Sequence, residues 1–101
     1  MEKKKPHYLL TEVQRVVEER GVNAFTATAL AGAMSMGLSS GQAVSVVLGL
    51  KQKDIYKSMT TNADHKIWQD VYHATLKSGL VAYIKVTLRE NGTVVIQFKE
   101  K

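Results

Sequence analysis

From Leu80 to Leu88 the even positions, Leu80, Ala82, Ile84, Val86 and Leu88, are all apolar, while the odd ones include Tyr83, Lys85 and Thr87, with Arg89 following. Successive side chains of a strand point to opposite faces, so one face of this segment is core and the other is open. The period resumes after Glu90-Asn91-Gly92, with Val94, Ile96 and Phe98 on one side and Thr93, Val95, Gln97 and Lys99 on the other. A two-residue Asn91-Gly92 loop would set Leu88 against Val95 and mix the faces. A three-residue loop, Glu90–Gly92 with a left-handed glycine, keeps them apart. It predicts Ile84 opposite Phe98, Val86 opposite Ile96, Lys85 opposite Gln97 and Tyr83 opposite Lys99.

Upstream, Val13, Val16 and Val17 form a helical stripe behind a capping-box pattern, Thr11 with Gln14, and Gly21 closes it, so a first helix is expected near 11–20. Val22–Thr26 reads as a short strand and Thr28–Met36 as a second helix stopped by Gly37. Ser39 with Gln42 caps a third helix reaching about Leu50. From Asp54 the texture turns to β-branched, aromatic and hydroxyl residues. Strands are expected near 54–61, 67–74, 80–89 and 93–100. Helices followed by an antiparallel sheet predict an α+β fold, a single domain over residues 1–101, with the helices on one sheet face and the other face open.

The register of the first hairpin is less constrained. If Asn62-Ala63-Asp64 closes it, Ile55 faces Val71, Lys57 faces Gln69 and Met59 faces Ile67. Both faces are mixed, with Tyr56, Ser58, Trp68 and Tyr72 on the alternative side. The pattern leaves open which of them meets solvent.

Composition narrows the function classes. A chain of 101 residues buries roughly 65% of its unfolded surface, enough to fold without staples. The absence of cysteine excludes disulfides and thiolate metal sites and fits a reducing cytoplasm. A net charge of +5 points to a polyanionic partner such as nucleic acid. The excess sits in the β half, where residues 51–101 carry nine Lys/Arg against five acids. Met1–His7 lacks the pattern of a secretory signal, and Gly32, Gly37 and Gly41 interrupt the apolar-rich stretch 24–50 too often for a membrane span. A soluble cytoplasmic protein with no membrane attachment is expected. Lys3-Lys4-Lys5 before Pro6 is read as part of a frayed, solvated terminus.

Familiar catalytic patterns are missing. There is no Gly-Lys-Ser/Thr phosphate loop, no metal-spaced histidine pair, and no basis for a Ser/His/Asp triad in three scattered histidines. His65 and His73 read as structural histidines, with general acid or base roles as the alternative. Trp68 reads as a core anchor rather than a base-stacking platform. If Lys57, Gln69, Tyr83 and Lys99 share one open face, two cations, a phenol and an amide converge, which suits a reaction at phosphate. In RNA self-cleavage the 2′-hydroxyl loses its proton, the phosphorus gains negative charge and the 5′-oxygen leaves. A cation held in place for that charge contributes on the order of 3–4 kcal/mol. Ordinary tyrosine and lysine, with pKa values of about 10 and 10.4, need neighbouring cations to act near neutral pH. The same Tyr/Lys/Arg/Gln surface is also what a plain solvated strand presents.

The string Tyr56-Lys57-Ser58-Met59-Thr60-Thr61, then Asp64-His65, then Trp68-Gln69-Asp70-Val71-Tyr72, resembles the motility quorum-sensing regulator (MqsR) toxin family of bacterial toxin–antitoxin systems. The opening Met1-Glu2-Lys3 with Pro6-His7 and the ending Phe98-Lys99-Glu100-Lys101 fit the same family. The resemblance implies a RelE-like α+β ribonuclease toxin fold. It also implies a ribosome-independent mRNA interferase needing no metal or other cofactor, cutting preferentially at GCU-type sequences. A cognate antitoxin is implied as well, with a zinc-binding toxin-contacting domain and a helix-turn-helix domain through which the toxin meets operator DNA indirectly. Family active-site positions correspond to Lys57, Gln69, Tyr83 and Lys99. On this reading Lys57 and Lys99 stabilise the transition state, Tyr83 transfers a proton or positions substrate, and Gln69 orients the phosphate or a base edge. Lys85 and Arg89 are assigned to the flanking RNA backbone. The alternatives are a noncatalytic RNA-binding domain and a DNA-binding regulator using residues 28–50. Against the latter, the segment 41–50 has no basic residue before Lys51.

Overall fold

The computed structural model describes residues 1–101. The chain runs β1 (Glu2–Lys3), α1 (Leu10–Arg20), α2 (Ala27–Ser35), α3 (Ser40–Leu48), β2 (Ile55–Thr60), β3 (Trp68–Thr75), β4 (Val81–Leu88) and β5 (Val94–Glu100). The five strands form one antiparallel sheet in the order β1-β2-β3-β4-β5. This is the α+β architecture the pattern predicts. No helix is long and apolar enough to cross a membrane.

The helices pack by their small and branched residues. Leu10, Val13, Val16 and Val17 of α1 and Ala29 and Ala33 of α2 are buried toward one sheet face, and Ala43 and Val47 are buried where α3 packs on α1 and α2. That face is built from Tyr72, Ala82, Ile84, Val86, Ile96 and Phe98. Ser39 and Gln42 form the expected capping box of α3. Thr26 caps α2, its hydroxyl accepting from the Ala29 N–H at 3.0 Å. The expected box at Thr11 and Gln14 does not form, and α1 starts at Leu10 with no side-chain cap. The Gln14 amide instead lies 2.9–3.1 Å from the carbonyls of Val47, Leu48 and Leu50. Those carbonyls close α3 and need partners from outside the helix, so a tertiary clamp wins over a local cap.

Three further expectations are corrected. Val22–Thr26 is not a strand, because Gly21 at φ +57 turns the chain into a 3-10 segment, Gly21–Ala24. Phe25 alone bridges Ile96. The amino-terminal residues are not frayed. Glu2 and Lys3 pair with Met59 and Ser58, and Lys3 lies over the Trp68 ring at 4.3 Å. His7 stacks on the other part of this anchor, 5.0 Å from Trp68. The peptide N–H groups of His7 and Tyr8 donate to the carboxylate of Asp70, which is 1% exposed and also accepts from the Ser58 hydroxyl. Trp68 is thus half-buried under the amino-terminal segment rather than in the central core.

Helix α2 reaches furthest along β5. Gly32 sits so close to the Phe98 carbonyl that a Cβ there would collide with backbone. Alanine ordinarily stabilises a helix interior by about 1 kcal/mol over glycine. Here overpacking against an immovable carbonyl opposes that gain and costs about 1–3 kcal/mol. Gly32→Ala is therefore expected to lower the denaturant midpoint and to push α2 away from Phe98 and Lys99. A midpoint equal to or above that of the parent would show that the contact relaxes freely.

Candidate active site

The β4–β5 register matches the prediction pair for pair, with Tyr83 opposite Lys99, Ile84 opposite Phe98, Lys85 opposite Gln97 and Val86 opposite Ile96. Glu90–Gly92 forms the loop, closed by Arg89 and Thr93 with Gly92 at φ +85. The β2–β3 register does not match. Lys57 faces Val71 and Met59 faces Gln69, a two-residue displacement from the expected pairing, and a bulge at Tyr56 follows toward Ile55. A shift of two preserves the face. Lys57 and Gln69 therefore remain on the open side as diagonal neighbours rather than direct partners.

Two rows of side chains cross this face. One is Lys57, Val71, Lys85 and Gln97, and the next holds His73, Tyr83 and Lys99. Val71 is fully buried yet lies outside the helix-side core. Its burial comes from the open-face side chains around it, Lys57 and Lys85 across the ladder and Gln69 and His73 along its own strand. A dry apolar floor beneath several cations follows.

The aromatic members are in contact. The bulge turns the Tyr56 ring onto His73, stacked at 4.4 Å, and His73 meets Tyr83 at 5.6 Å. Lys99 and Lys85 lie 5.2 and 5.9 Å from the Tyr83 ring centre, within cation–π range. Burial, together with Lys101, holds His73 below the ordinary histidine range, so its ring is neutral at neutral pH. Its Nε2 is buried without a hydrogen-bond partner. His65 is exposed in the β2–β3 loop, away from the cluster.

The cations are not equivalent. Lys57 Nζ lies 2.7 Å from Glu2 Oε1, and this hydrogen bond holds the ammonium above the ordinary lysine range. Lys85 is pushed the other way, by burial and then by Lys99 and Lys57. It sits within the cluster, whereas the sequence pattern assigns it to the flanking RNA backbone. Arg89 stands near the loop, four residues along the strand from Lys85, about 13 Å away at strand rise. It does not join the cluster. Tyr56, His73 and Glu2 were absent from the predicted site. The run Tyr56-Lys57 with alternating His73 and Tyr83 could have placed the rings on a shared face had the bulge been legible.

Fold and face together define a small α+β protein whose sheet presents a cationic, aromatic surface opposite its helices. The chain belongs to the family described as Motility quorum-sensing regulator, toxin of MqsA, whose model matches residues 5–100. It is 43% identical to the mRNA interferase toxin MqsR of Escherichia coli (strain K12) over 101 residues, the full length of both chains.

Proposed function

We propose that this chain is a sequence-selective endoribonuclease toxin that cuts mRNA by attack of a 2′-hydroxyl on the adjacent phosphorus. The observation that carries the reading is the convergence of Lys57, Lys85, Lys99 and Tyr83 on one open face above buried Val71, in a chain of this family. In the reaction a 2′-oxygen–phosphorus bond forms as the 5′-oxygen–phosphorus bond breaks. The proton lost by the 2′-hydroxyl is balanced by one gained at the leaving 5′-oxygen. Lys57, kept charged by Glu2, and Lys99 face the added negative charge on the phosphoryl oxygens. Lys85, lowered by burial and its neighbours, is the cation readiest to exchange a proton. Tyr83 lies between Lys85 and Lys99 and orients the reacting groups, while Gln69 reaches the phosphate from the next pair of positions on β3. Arg89 remains a contact for distal RNA backbone.

By family membership, residues 1–101 act as one toxin domain in the cytoplasm, cutting at GCU-type sites independently of the ribosome and without a metal cofactor. A cognate antitoxin, with a zinc-binding domain and a helix-turn-helix domain, neutralises it and links it indirectly to operator DNA. The test is incubation of the pure, antitoxin-free protein with a defined RNA in excess EDTA, followed by mapping of the new ends. Ends bearing 2′,3′-cyclic phosphate and 5′-hydroxyl at a recurrent trinucleotide are expected. A folded sample that binds RNA in a salt-sensitive manner yet leaves it intact would return the protein to the noncatalytic RNA-binding alternative.

A further inference from the structure

Beside Tyr83 the open face deepens into a cavity of about 300 Å³ between the first turn of α2 and strands β4 and β5. We propose that this cavity receives the base of a nucleotide next to the scissile phosphate, and that Gln97 and Thr28 read its edge. The inference rests on the endoribonuclease reading and adds to it where sequence selectivity resides. The volume lies at the lower end of small-molecule sites, which run from about 300 Å³ upward, and fits one nucleoside rather than a stretch of chain.

The lining divides by chemistry. The Tyr83 ring supplies flat surface for a base, with the buried Ala29 and Phe98 completing the apolar part of the lining, while Lys85 and Lys99 stand where the connecting phosphates would run. Gln97 and Thr28 are exposed and neither side chain hydrogen-bonds within the protein. The other threonine of the lining, Thr26, is already engaged as the cap of α2. Its capping also satisfies the Ala29 N–H, so the polar character of the cavity comes chiefly from side chains and not from the helix terminus. A glutamine amide offers a donor and an acceptor side by side, which matches paired groups on a base edge. Lysines meet any phosphate alike. Single-stranded RNA is read by this combination of stacking on an aromatic ring and hydrogen bonding to unstacked edges.

The discriminating experiment uses an RNA pool randomised around a cleavage site, cut by the full-length protein and by Gln97→Ala, Thr28→Ala and Lys85→Ala, with product ends sequenced. The parent is expected to favour one base at a position adjoining the cut. Gln97→Ala should erode that preference about tenfold or more while the preferences at other positions persist, and Thr28→Ala should erode the same position. Lys85→Ala should slow all sequences together. Parent-like profiles in both Gln97→Ala and Thr28→Ala would overturn the assignment and leave the ribonuclease reading standing. Failure of the parent itself to cut would remove both.

Discussion

Lys99→Ala is expected to slow RNA cleavage by about a hundredfold or more while the protein remains folded. The effect is large because Lys99 has no acidic partner, whereas Lys57 shares its charge with Glu2. Its ammonium, 5.2 Å from the Tyr83 ring centre, is free to meet charge that develops on a phosphate above that ring. Removing one donor aimed at such charge ordinarily costs about 2.7–4 kcal/mol of transition-state stabilisation. Stability should change little, since the Lys99 side chain is exposed and the neighbouring Phe98 carries the core contact. Single-turnover rates at saturating RNA, with denaturation curves on the same samples, separate the two effects. A useful control is Lys101→Ala, which removes a nearby exposed cation that lies past the end of β5. It should alter the salt dependence of binding by at most one phosphate contact and spare the cleavage step. Activity within about threefold of the parent in Lys99→Ala would take this lysine out of the site.

The contrast between the two hairpins explains which parts of this site could be read in the chain. Along β4 and β5 the inward positions from Ala82 to Leu88 and from Val94 to Phe98 are all apolar, so only one register keeps both faces consistent, and Tyr83 against Lys99 follows from pattern alone. Along β2 and β3 the inward positions include Ser58 and Asp70, both buried and hydrogen-bonded to each other. Polarity there no longer reports direction. The bulge at Tyr56 adds a residue that no local signal marks. The register itself is set at the other end, where the loop does not close over Asn62–Asp64 but is spanned by the Thr61 N–H donating to the Ile67 carbonyl, a displacement of two that leaves Lys57 and Gln69 on the expected face and makes Val71 the partner of Lys57. The cluster's electrostatics were less accessible still. That Glu2 raises Lys57 and that burial lowers Lys85 depend on contacts across 55 residues of sequence and across three strands. A charged amino-terminal segment looks solvated until its acceptor, Asp70, is known.

Asp70→Ala is expected to cost about 3 kcal/mol of stability, the larger of the structural effects foreseen here. The carboxylate is 1% exposed and takes the His7 N–H at 2.9 Å, the Tyr8 N–H at 2.9 Å and the Ser58 hydroxyl at 2.6 Å. Hydrogen bonds to a charged acceptor each contribute about 1.5–3 kcal/mol, and truncating the acceptor strands three donors that were turned away from water. Some recover water at the edge of the sheet, which holds the total below the sum of the parts. Against an overall stability of about 5–15 kcal/mol the loss is severe. Asp70→Asn keeps one acceptor oxygen and should lose about half as much, whereas Ser58→Ala removes a donor and should lose less again. Urea midpoints give the energies, and amide exchange at His7 and Tyr8 locates them, since those two protons should exchange much faster in Asp70→Ala. A loss under about 1 kcal/mol would mean that the amino-terminal segment holds without the carboxylate. The same segment carries Glu2 to within 2.7 Å of Lys57, so releasing it also releases that lysine from its carboxylate. Stability at one sheet edge and the charge state of the proposed site are therefore coupled through a single stretch of backbone.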